Sequence, residues 1–367
     1  QPAHEAYRRW REDREAAGLS DGELALSFEA GYIDDIFGAA LGAERAEAMR
    51  DLAVGLARFL GFEVAPKKIA GPSPCMTVLG AALDLEMRLL SLDPDKALSY
   101  SSQAAATLSK KSMRLSDFLS LTCKLVHAAQ YRPAGRPYLT CCFTAMRQAT
   151  RAGAKRVRIG RGVVRELKWW AKHLVLPNDG VAFFPLNHFP PSGSPELLEF
   201  AYDASGTDGL GAAMLRPDAS GNLVCYFVEH MWTDEEKCYH INVKEGIAGY
   251  AGLASFYPMA PHRHALAHGD NTTETITSAK NKSRSALQSV VLQHRAEFAG
   301  RTGVVTRVRR VKSKDNVLAD PVSRLATATF NAEARKLGAT KFVKLPLAPE
   351  VQRLIDELGV RLGELRE

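Results

Sequence analysis

Apolar positions in the first 92 residues follow short periods that predict a mixture of helices and strands. Residues 1–28 are polar with a helical pattern. Residues 31–37, GYIDDIF, form an apolar stretch interrupted by two acids, which is typical of a β-hairpin whose turn carries the acids. An apolar stripe at helical spacing follows over 43–60 and is expected to end at Gly61. Residues 77–92 predict a pair of strands.

In the middle of the chain, apolar residues recur at helical spacing, and a proline-rich segment follows. Helices are expected from 93 to 174, with breaks at 132–135 and near Gly160. The next segment, 175–195, contains five prolines, which favour a linker because proline interrupts both helices and central strands. We therefore predict a domain boundary near residue 190.

The last third of the chain predicts a sheet with helices around it. Three strand-like runs, LLEFAYDAS, GLGAAMLR and NLVCYFVEHMW, are separated by turn residues. A helix over 242–255, a strand over 263–269, a helical region over 272–299, a strand over 303–311 and a short helix should follow. Strands followed by alternating helices and strands predict an α/β (α+β) fold with a mixed sheet flanked by helices. A tail from 326 ends in one amphipathic helix, 349–365.

Composition places the chain among globular proteins with more than one domain. Its 367 residues suffice for two or three cores, and 46% hydrophobic and 24% charged residues are ordinary values. No run of about 18 apolar residues predicts a membrane span. The polar N-terminal residues do not resemble a signal peptide. The six cysteines form no CxxC pair, which favours reduced thiols in an intracellular protein, cytoplasmic or nuclear.

Charge is distributed unevenly along the chain. Residues 101–172 carry fifteen Lys and Arg but only two acids, a net charge of +13, so the remainder carries −6 of the total +7. Such a basic block predicts a surface for a polyanion, here nucleic acid. The residues expected to contact it are Lys110, Lys111, Arg114, Arg132, Arg136, Arg147, Arg151, Lys155, Arg156 and Arg158, with Arg309 and Lys312 from the later basic run.

Four acids stand at comparable places in the predicted C-terminal sheet. Asp203 ends a strand, Glu245 lies one turn into a helix, Asp270 ends the next strand, and Asp320 opens a short helix before Pro321. Each alone is explained as a cap or a turn residue. Together they should converge on one sheet edge, where mutual repulsion requires cations. Oxygen ligands suit Mg²⁺, and two such ions can support phosphodiester hydrolysis.

The sequence around these acids resembles the four motif blocks of retroelement ribonuclease H. The matching blocks are YDAS with GLGAAM, HINVKEGIAGYAGL, HGDNTTE and KDNVLADPVSR, and the acids are separated by 42, 25 and 50 residues. The resemblance implies that Asp203, Glu245, Asp270 and Asp320 bind two Mg²⁺ ions, for which Mn²⁺ should substitute. It also implies endonucleolytic cleavage of the RNA strand of an RNA–DNA hybrid. The run RVRRVKSKDN is more basic than that family would lead us to expect.

The earlier residues resemble a reverse transcriptase. YIDD, with Asp34 and Asp35, is similar to the [FY]xDD motif of these polymerases, and LGFEVAPKKIAGPS and TVLGAALDL resemble the palm elements that follow it. LVHAAQYRPAGRPYL and RELKWWAKHL resemble the thumb and connection of DIRS-type, tyrosine-recombinase retrotransposons. Only 33 residues precede Asp34, so we expect a polymerase remnant without fingers or upstream palm. This chain alone should not polymerise, although a second polypeptide could complete the palm.

The expected domains follow from these resemblances. Residues 1–92 form a partial palm, 93–175 a basic helical thumb or connection, 176–195 a linker, 196–325 the ribonuclease H domain, and 326–367 a tail with a helix.

Two other functions and two other residue roles remain open from sequence. A domesticated, catalytically inactive nucleic-acid-binding or structural subunit would retain the basic block, and an unrelated nuclease or integrase of the same fold would share the acids but not explain YIDD. The histidines at 262, 264 and 268 could bind zinc, but surface or substrate-contacting roles are favoured. Trp169 and Trp170 could stack on bases, although adjacent helical positions place at least one in the core.

Overall fold

The computed structural model describes residues 27–32, 35–87, 89–176, 181–182, 189–259 and 264–366. The chain divides into two compact units, one within residues 1–94 and 181–183 and the other within 95–180 and 184–367. No helix in the described ranges combines the length and apolar character needed to cross a membrane.

The first unit contains a strand pair, a helix and a small antiparallel sheet. Strand β1 (Ser27–Tyr32) pairs antiparallel with β2 (Asp35–Ala40), which confirms the predicted pairing, and helix α1 (Ala43–Phe59) follows. The sheet has the order β3-β4-β5-β8, formed by Cys75–Val78, Ala81–Asp84, Leu89–Leu92 and Val181–Ala182. Residues 77–92 therefore contribute three strands instead of the two predicted.

A tight turn explains the additional strand. Leu79 and Gly80 connect β3 to β4 with φ angles of 51° and 82°. Positive φ at both central residues is typical of a two-residue hairpin turn, in which glycine is favoured and leucine is unusual. The apolar run through VLGAAL gave no sequence signal for this turn.

The basic part of the second unit is helical, as predicted. Its helices are α2 (Pro94–Thr107), α3 (Leu115–Tyr131), α4 (Thr140–Arg151) and α5 (Arg161–His173). The expected breaks are present as a 3₁₀ segment over Pro133–Leu139 and as Gly160, the N-cap of α5. Two three-residue strands, β6 (Ser112–Arg114) and β7 (Arg156–Arg158), were not predicted and form an antiparallel ribbon.

A six-stranded mixed sheet with the order β13-β12-β9-β10-β11-β14 forms the centre of the second unit. The antiparallel strands β9, β10 and β11 come first in the chain, β12 and β13 then add parallel to β9, and β14 adds parallel to β11. Their bounds are Leu197–Ala204, Gly209–Pro217, Leu223–Met231, His264–Gly269, Val305–Arg310 and Lys341–Lys344. The predicted mixed sheet with flanking helices is confirmed.

Six helices accompany this sheet in the described residues. They are α6 (Asp234–Lys237), α7 (Ile241–Phe256), α8 (Thr272–Lys280), α9 (Ala286–Thr302), α10 (Ala319–Ser323) and α11 (Thr327–Lys336), before the C-terminal α12 (Pro349–Arg366). The predicted helical region over 272–299 is two helices, because Asn281 ends α8 in the left-handed conformation and Ser285 caps α9.

Helix α7 occupies the core. Residues 243–256 of this helix are all buried, as expected for a helix that is apolar on every side. Glycines allow close contact with β9, since a Cβ at Gly252 would lie 2.5 Å from the Phe200 ring and one at Gly249 would lie 3.2 Å from Tyr202. This packing holds α7 closely against β9.

Candidate active site

Asp203 is the seventh residue of β9. Alternation along that strand directs Leu198, Phe200 and Tyr202 into the core with α7, and therefore directs Asp203 to the opposite face. The side chain is nevertheless buried, at 5% exposure. The hydroxyl of Ser323 donates a short hydrogen bond to Asp203 Oδ2.

Glu245 lies in the second turn of α7. His240 precedes this helix and accepts a hydrogen bond from Asn242 N at its Nδ1, 3.2 Å away, so it caps the helix start. Glu245 is 4% exposed, and its Oε2 is buried without a hydrogen-bond partner.

Asp270 follows β12 and stands before the N-cap of α8. Asn271 Oδ1 accepts from Glu274 N at 3.0 Å, and Asn271 Nδ2 donates to Asn242 Oδ1 at 3.1 Å. These bonds connect the first turns of α7 and α8, the helices beside Glu245 and Asp270.

The structure brings these three acids together. Asp203, Glu245 and Asp270 each offer one carboxylate oxygen, and the three oxygens lie within 4.8 Å of one another. We call Asp203, Glu245 and Asp270 the acid triad. It forms because β9 and β12 are adjacent and parallel, so their carboxyl ends meet at the same edge beside α7.

The acid triad is electrostatically costly without a cation. Burial, reinforced by Asp203 and Asp270, raises the pKa of Glu245 to about 10. Burial, with Asp270 and Asp320, raises the pKa of Asp203 to about 6, although the Ser323 hydrogen bond and Arg324 act in the opposite direction. At neutral pH the cation-free group therefore retains a proton on Glu245.

A divalent cation fits this site. Three carboxylates are oxygen ligands of the kind preferred by Mg²⁺ and Mn²⁺, and the partnerless Oε2 of Glu245 is an unused acceptor in a buried position. A cation bound there would replace the proton retained on Glu245 and reduce the mutual repulsion of the carboxylates.

Asp320 stands outside the acid triad. It lies in α10, as predicted, and its Oδ1 accepts a hydrogen bond from Arg324 Nε at 2.9 Å. The charge of Asp320 nevertheless helps to raise the pKa of Asp203. The sequence assigned Asp320 but missed Ser323 and Arg324, although positions three and four residues after an acid share its helix face.

Two buried polar residues hold the backbone around Asp203 and were also missed. Asn316 Nδ2 donates to the carbonyl of Tyr202 at 3.0 Å. Lys244 Nζ donates to the carbonyls of Gly206 and of Lys237, the latter at 3.0 Å, and burial lowers the pKa of its ammonium group. The contacts to Tyr202 and Gly206 join segments distant in sequence, so no local pattern could have identified them.

A fifth carboxylate lies buried near the acid triad. Glu274 is 1% exposed, accepts short hydrogen bonds from the hydroxyls of Tyr202 and Ser278, and pairs with Arg295 Nη1 at 3.4 Å. Its charge contributes to the raised pKa of Glu245. Because Arg295 and the two hydroxyls satisfy Glu274, it belongs to the support of the site.

Most of the basic residues predicted to contact nucleic acid are exposed. They lie mainly on the β6–β7 ribbon and at the end of β13. The β6–β7 ribbon and its flanks present Lys110, Lys111, Arg114, Lys155, Arg156 and Arg158. On β13, Arg309 is exposed and pairs in register with His268, two residues before Asp270, and exposed Lys312 follows that strand. Arg136 and Arg151 are exposed as well, whereas half-buried Arg132 and Arg147 donate to Leu176 O and Thr144 Oγ1.

Other residues singled out from the sequence have structural partners. Trp169 and Trp170 are both buried, with Trp169 stacked on Tyr138 and His173, so the stacking of either on a base is not supported. His268 Nε2 contacts Glu199 Oε1 at 2.7 Å, and the His264 ring meets Phe189. In the described part of the chain, His264 and His268 belong to no group of metal ligands, and His262 lies outside it.

The two acids predicted to belong to a polymerase remnant are only partly described. Asp34 lies outside the described residues, and Asp35 begins β2 opposite Tyr32 in the antiparallel register. The side chain of Asp35 also falls outside the described set.

Comparisons with known proteins give distant structural neighbours only. No family model and no curated protein matches the sequence. A foamy viral protease–reverse transcriptase in complex with double-stranded DNA is similar over 78% of this chain and 46% of its own, at 12% identity and a TM-score of 0.34. Ribonuclease H1 from Halobacterium salinarum is similar over 36% of this chain and 98% of its own, at 13% identity and a TM-score of 0.28.

A third neighbour is the N-terminal ribonuclease H domain of a protein from Mycobacterium tuberculosis. It is similar over 38% of this chain and 99% of its own, at 13% identity and a TM-score of 0.25. The chain thus spans less than half of the foamy viral protein and nearly the whole of the two smaller domains.

Proposed function

We propose that this chain is the reverse transcriptase and ribonuclease H region of a DIRS-type retrotransposon polyprotein, and that its C-terminal domain cleaves the RNA strand of RNA–DNA hybrids. The observation that carries the proposal is the acid triad, whose three carboxylate oxygens lie within 4.8 Å of one another at one sheet edge. A structural subunit gains nothing from burying acids that repel one another.

The residues have separate roles in this proposal. Asp203, Glu245 and Asp270 hold Mg²⁺, with Asp320 as a fourth ligand, while Ser323 orients Asp203 through its hydrogen bond. Divalent cations held by these carboxylates would supply the charge needed to activate a water and to stabilise the leaving oxygen of a phosphodiester. Cleavage would leave 3′-hydroxyl and 5′-phosphate ends.

The basic residues would hold the hybrid. The exposed ribbon of β6 and β7 and the end of β13 belong to the same compact unit as the acid triad. Phosphate contacts by Lys and Arg release counterions, so hybrid binding should weaken steeply as salt is raised. Binding that does not respond to salt would count against this surface.

Substitution of the acids tests the enzymatic role. Asp203→Asn and Asp270→Asn keep the shape of each side chain but remove its charge, so cleavage of an RNA–DNA hybrid in Mg²⁺ should fall by at least about a hundredfold. Hybrid affinity should be kept or raised, because repulsion of phosphate decreases. Cleavage is followed on a labelled RNA strand, with duplex DNA as the substrate control.

Asp356→Asn is the matched control, since Asp356 is exposed on α12, outside the acid triad, and accepts a hydrogen bond from Gln352 Nε2 at 2.9 Å. It should cut hybrid at close to the wild-type rate. If the wild-type protein binds hybrid but does not cut it in either Mg²⁺ or Mn²⁺, the chain is an inactive nucleic-acid-binding subunit and the enzymatic proposal is wrong.

A further inference from the structure

Arg324 is a cation at the edge of an otherwise acidic site. It follows α10 directly, one turn after Asp320, and its Nε lies 2.9 Å from Asp320 Oδ1. The Arg324 side chain is 58% exposed and that of Asp320 is 41% exposed. The pair is therefore open to solvent and to an incoming ligand.

The acids around Arg324 stabilise its positive charge. The hydrogen bond and charge of Asp320, followed by the charges of Asp203 and Asp208, raise the pKa of Arg324. In turn, the charge of Arg324 lowers the pKa of Asp203, whereas Asp270 and Asp320 raise it. Its charge thus offsets part of the negative potential at the point where a phosphodiester, itself an anion, would have to approach.

The short helix α10 places these groups rigidly. Pro321, Val322 and Ser323 are buried, and the Ser323 hydroxyl, which donates to Asp203, also lies 2.9 Å from the backbone carbonyl of Asp320. The backbone that carries Asp320 and Arg324 is therefore fixed beside the acid triad, whereas the two exposed side chains can move.

We propose that Arg324 is a substrate-binding residue that exchanges partners. It holds Asp320 in the free protein and binds a backbone phosphate of the hybrid in the complex, which releases the Asp320 carboxylate to serve as the fourth cation ligand. An exposed ion pair of this spacing contributes little stability and is easily exchanged. A guanidinium binds phosphate oxygens in a bidentate manner. The inference rests on the proposed function.

The proposal predicts effects of opposite sign when Arg324 is changed. Arg324→Gln should weaken binding of an RNA–DNA hybrid in EDTA by about tenfold, the loss of one charge-assisted contact. The slope of log affinity against log salt should become shallower by about 0.9, as expected for one phosphate contact fewer. The same variant should bind Mn²⁺ more tightly, because Asp320 is no longer paired.

Hybrid binding is measured by fluorescence anisotropy and Mn²⁺ binding by titration calorimetry, both on the full chain. Arg301→Gln is the matched control, because Arg301 is 57% exposed and forms an ion pair with Glu350 at 3.6 Å, outside the site. Its hybrid and Mn²⁺ affinities should equal those of the wild type. Arg324→Lys, which keeps charge but not the bidentate geometry, should lie between wild type and Arg324→Gln in hybrid affinity.

Three results would overturn the proposal. Unchanged hybrid affinity in Arg324→Gln would show that no phosphate contact is lost. A loss of both hybrid and Mn²⁺ affinity would indicate a structural role for the Asp320–Arg324 pair. If wild type cuts hybrid and either result is found, only this inference fails; if wild type does not bind hybrid at all, the proposed function fails with it.

Discussion

At the residue scale, Glu245 is the acid most affected by its surroundings. Burial and three neighbouring carboxylates raise its pKa to about 10, so the folded protein without cations keeps this group protonated where the unfolded chain ionises it. A carboxyl group whose pKa is raised on folding contributes its full stabilisation to the protein below the unfolded-state pKa of 4.5. This contribution is lost progressively as the pH rises towards the folded-state pKa. Glu245 therefore destabilises the cation-free protein at neutral pH.

Glu245→Gln should therefore stabilise the protein when cations are absent. In EDTA at pH 8 we expect an increase in the free energy of unfolding on the order of 2 kcal/mol, and this gain should fade as the pH falls below 4.5, where the unfolded wild-type chain becomes protonated as well. Thermal unfolding measured from about pH 3.5 to 8 tests the effect. The exposed Glu196→Gln serves as control and should show no such pH dependence.

In Mg²⁺ the effect of Glu245→Gln on the free energy of unfolding should have the opposite sign, so that the variant is less stable than wild type. Wild type should gain stability from the bound cation, more at pH 8 than at pH 6, since cation ligands must be deprotonated. Glu245→Gln should gain little. A variant less stable than wild type in EDTA at pH 8 would contradict the electrostatic description of the acid triad.

At the element scale, the position of Asp320 and Ser323 depends on how closely α10 approaches β10. Gly211 lies in β10 opposite Asp203 in the antiparallel register, and a Cβ there would meet Ser323 N at 2.5 Å and Val322 Cβ at 2.7 Å. Only glycine permits this contact, so the backbone of a strand decides where a distant helix places its polar side chains.

Gly211→Ala should displace α10 and reduce both stability and cleavage. Overpacking of this kind costs about 1–3 kcal/mol in the free energy of unfolding. Cleavage of the hybrid should fall more than hybrid binding, because the Ser323–Asp203 bond is disturbed. Urea unfolding and single-turnover cleavage measure the two effects.

Gly300→Ala is the matched control for this substitution. Gly300 lies in helix α9, and a Cβ there would meet nothing within 4 Å. Alanine should stabilise this helix by about 0.5–1 kcal/mol without affecting cleavage. Equal effects of the two substitutions would show that α10 does not depend on Gly211.

At the scale of the whole molecule, the segment expected to be a tail belongs to the core. The predicted helix is present as α12, but Val351, Leu354 and Leu358 on it are fully buried in the same cluster as α7. Strand β14 from this segment extends the sheet beside β11. Residues 326–367 are thus part of the second compact unit.

Leu354→Ala should destabilise the protein by about 3 kcal/mol, the usual effect of a cavity at a fully buried leucine. Val360→Ala, on the exposed side of the same helix at 66% exposure, should change stability by less than about 0.5 kcal/mol. Urea unfolding distinguishes them. Cleavage per folded molecule should be unaltered in both, and a negligible effect of Leu354→Ala would mean that α12 is dispensable.

Local patterns were sufficient for much of the architecture. The mixed sheet around Asp203, the helical region from 93 to 174 and the helix at the C-terminus follow from apolar periods and turn residues within short windows. The candidate acids could be named for the same reason, because Asp203 and Asp270 close strands and Glu245 and Asp320 stand near helix starts in the sequence itself.

Contacts between distant residues were decided only by the tertiary structure. Parallel pairing of β9 with β12 selects Asp203, Glu245 and Asp270 as the triad, and Asp320 stands outside it. The bond from Ser323 to Asp203 spans 120 residues, and the burial of Trp169 depends on Tyr138 and His173 around it. Local periodicity records which face of an element is apolar, but which elements meet, and how closely, depends on packing across the whole unit.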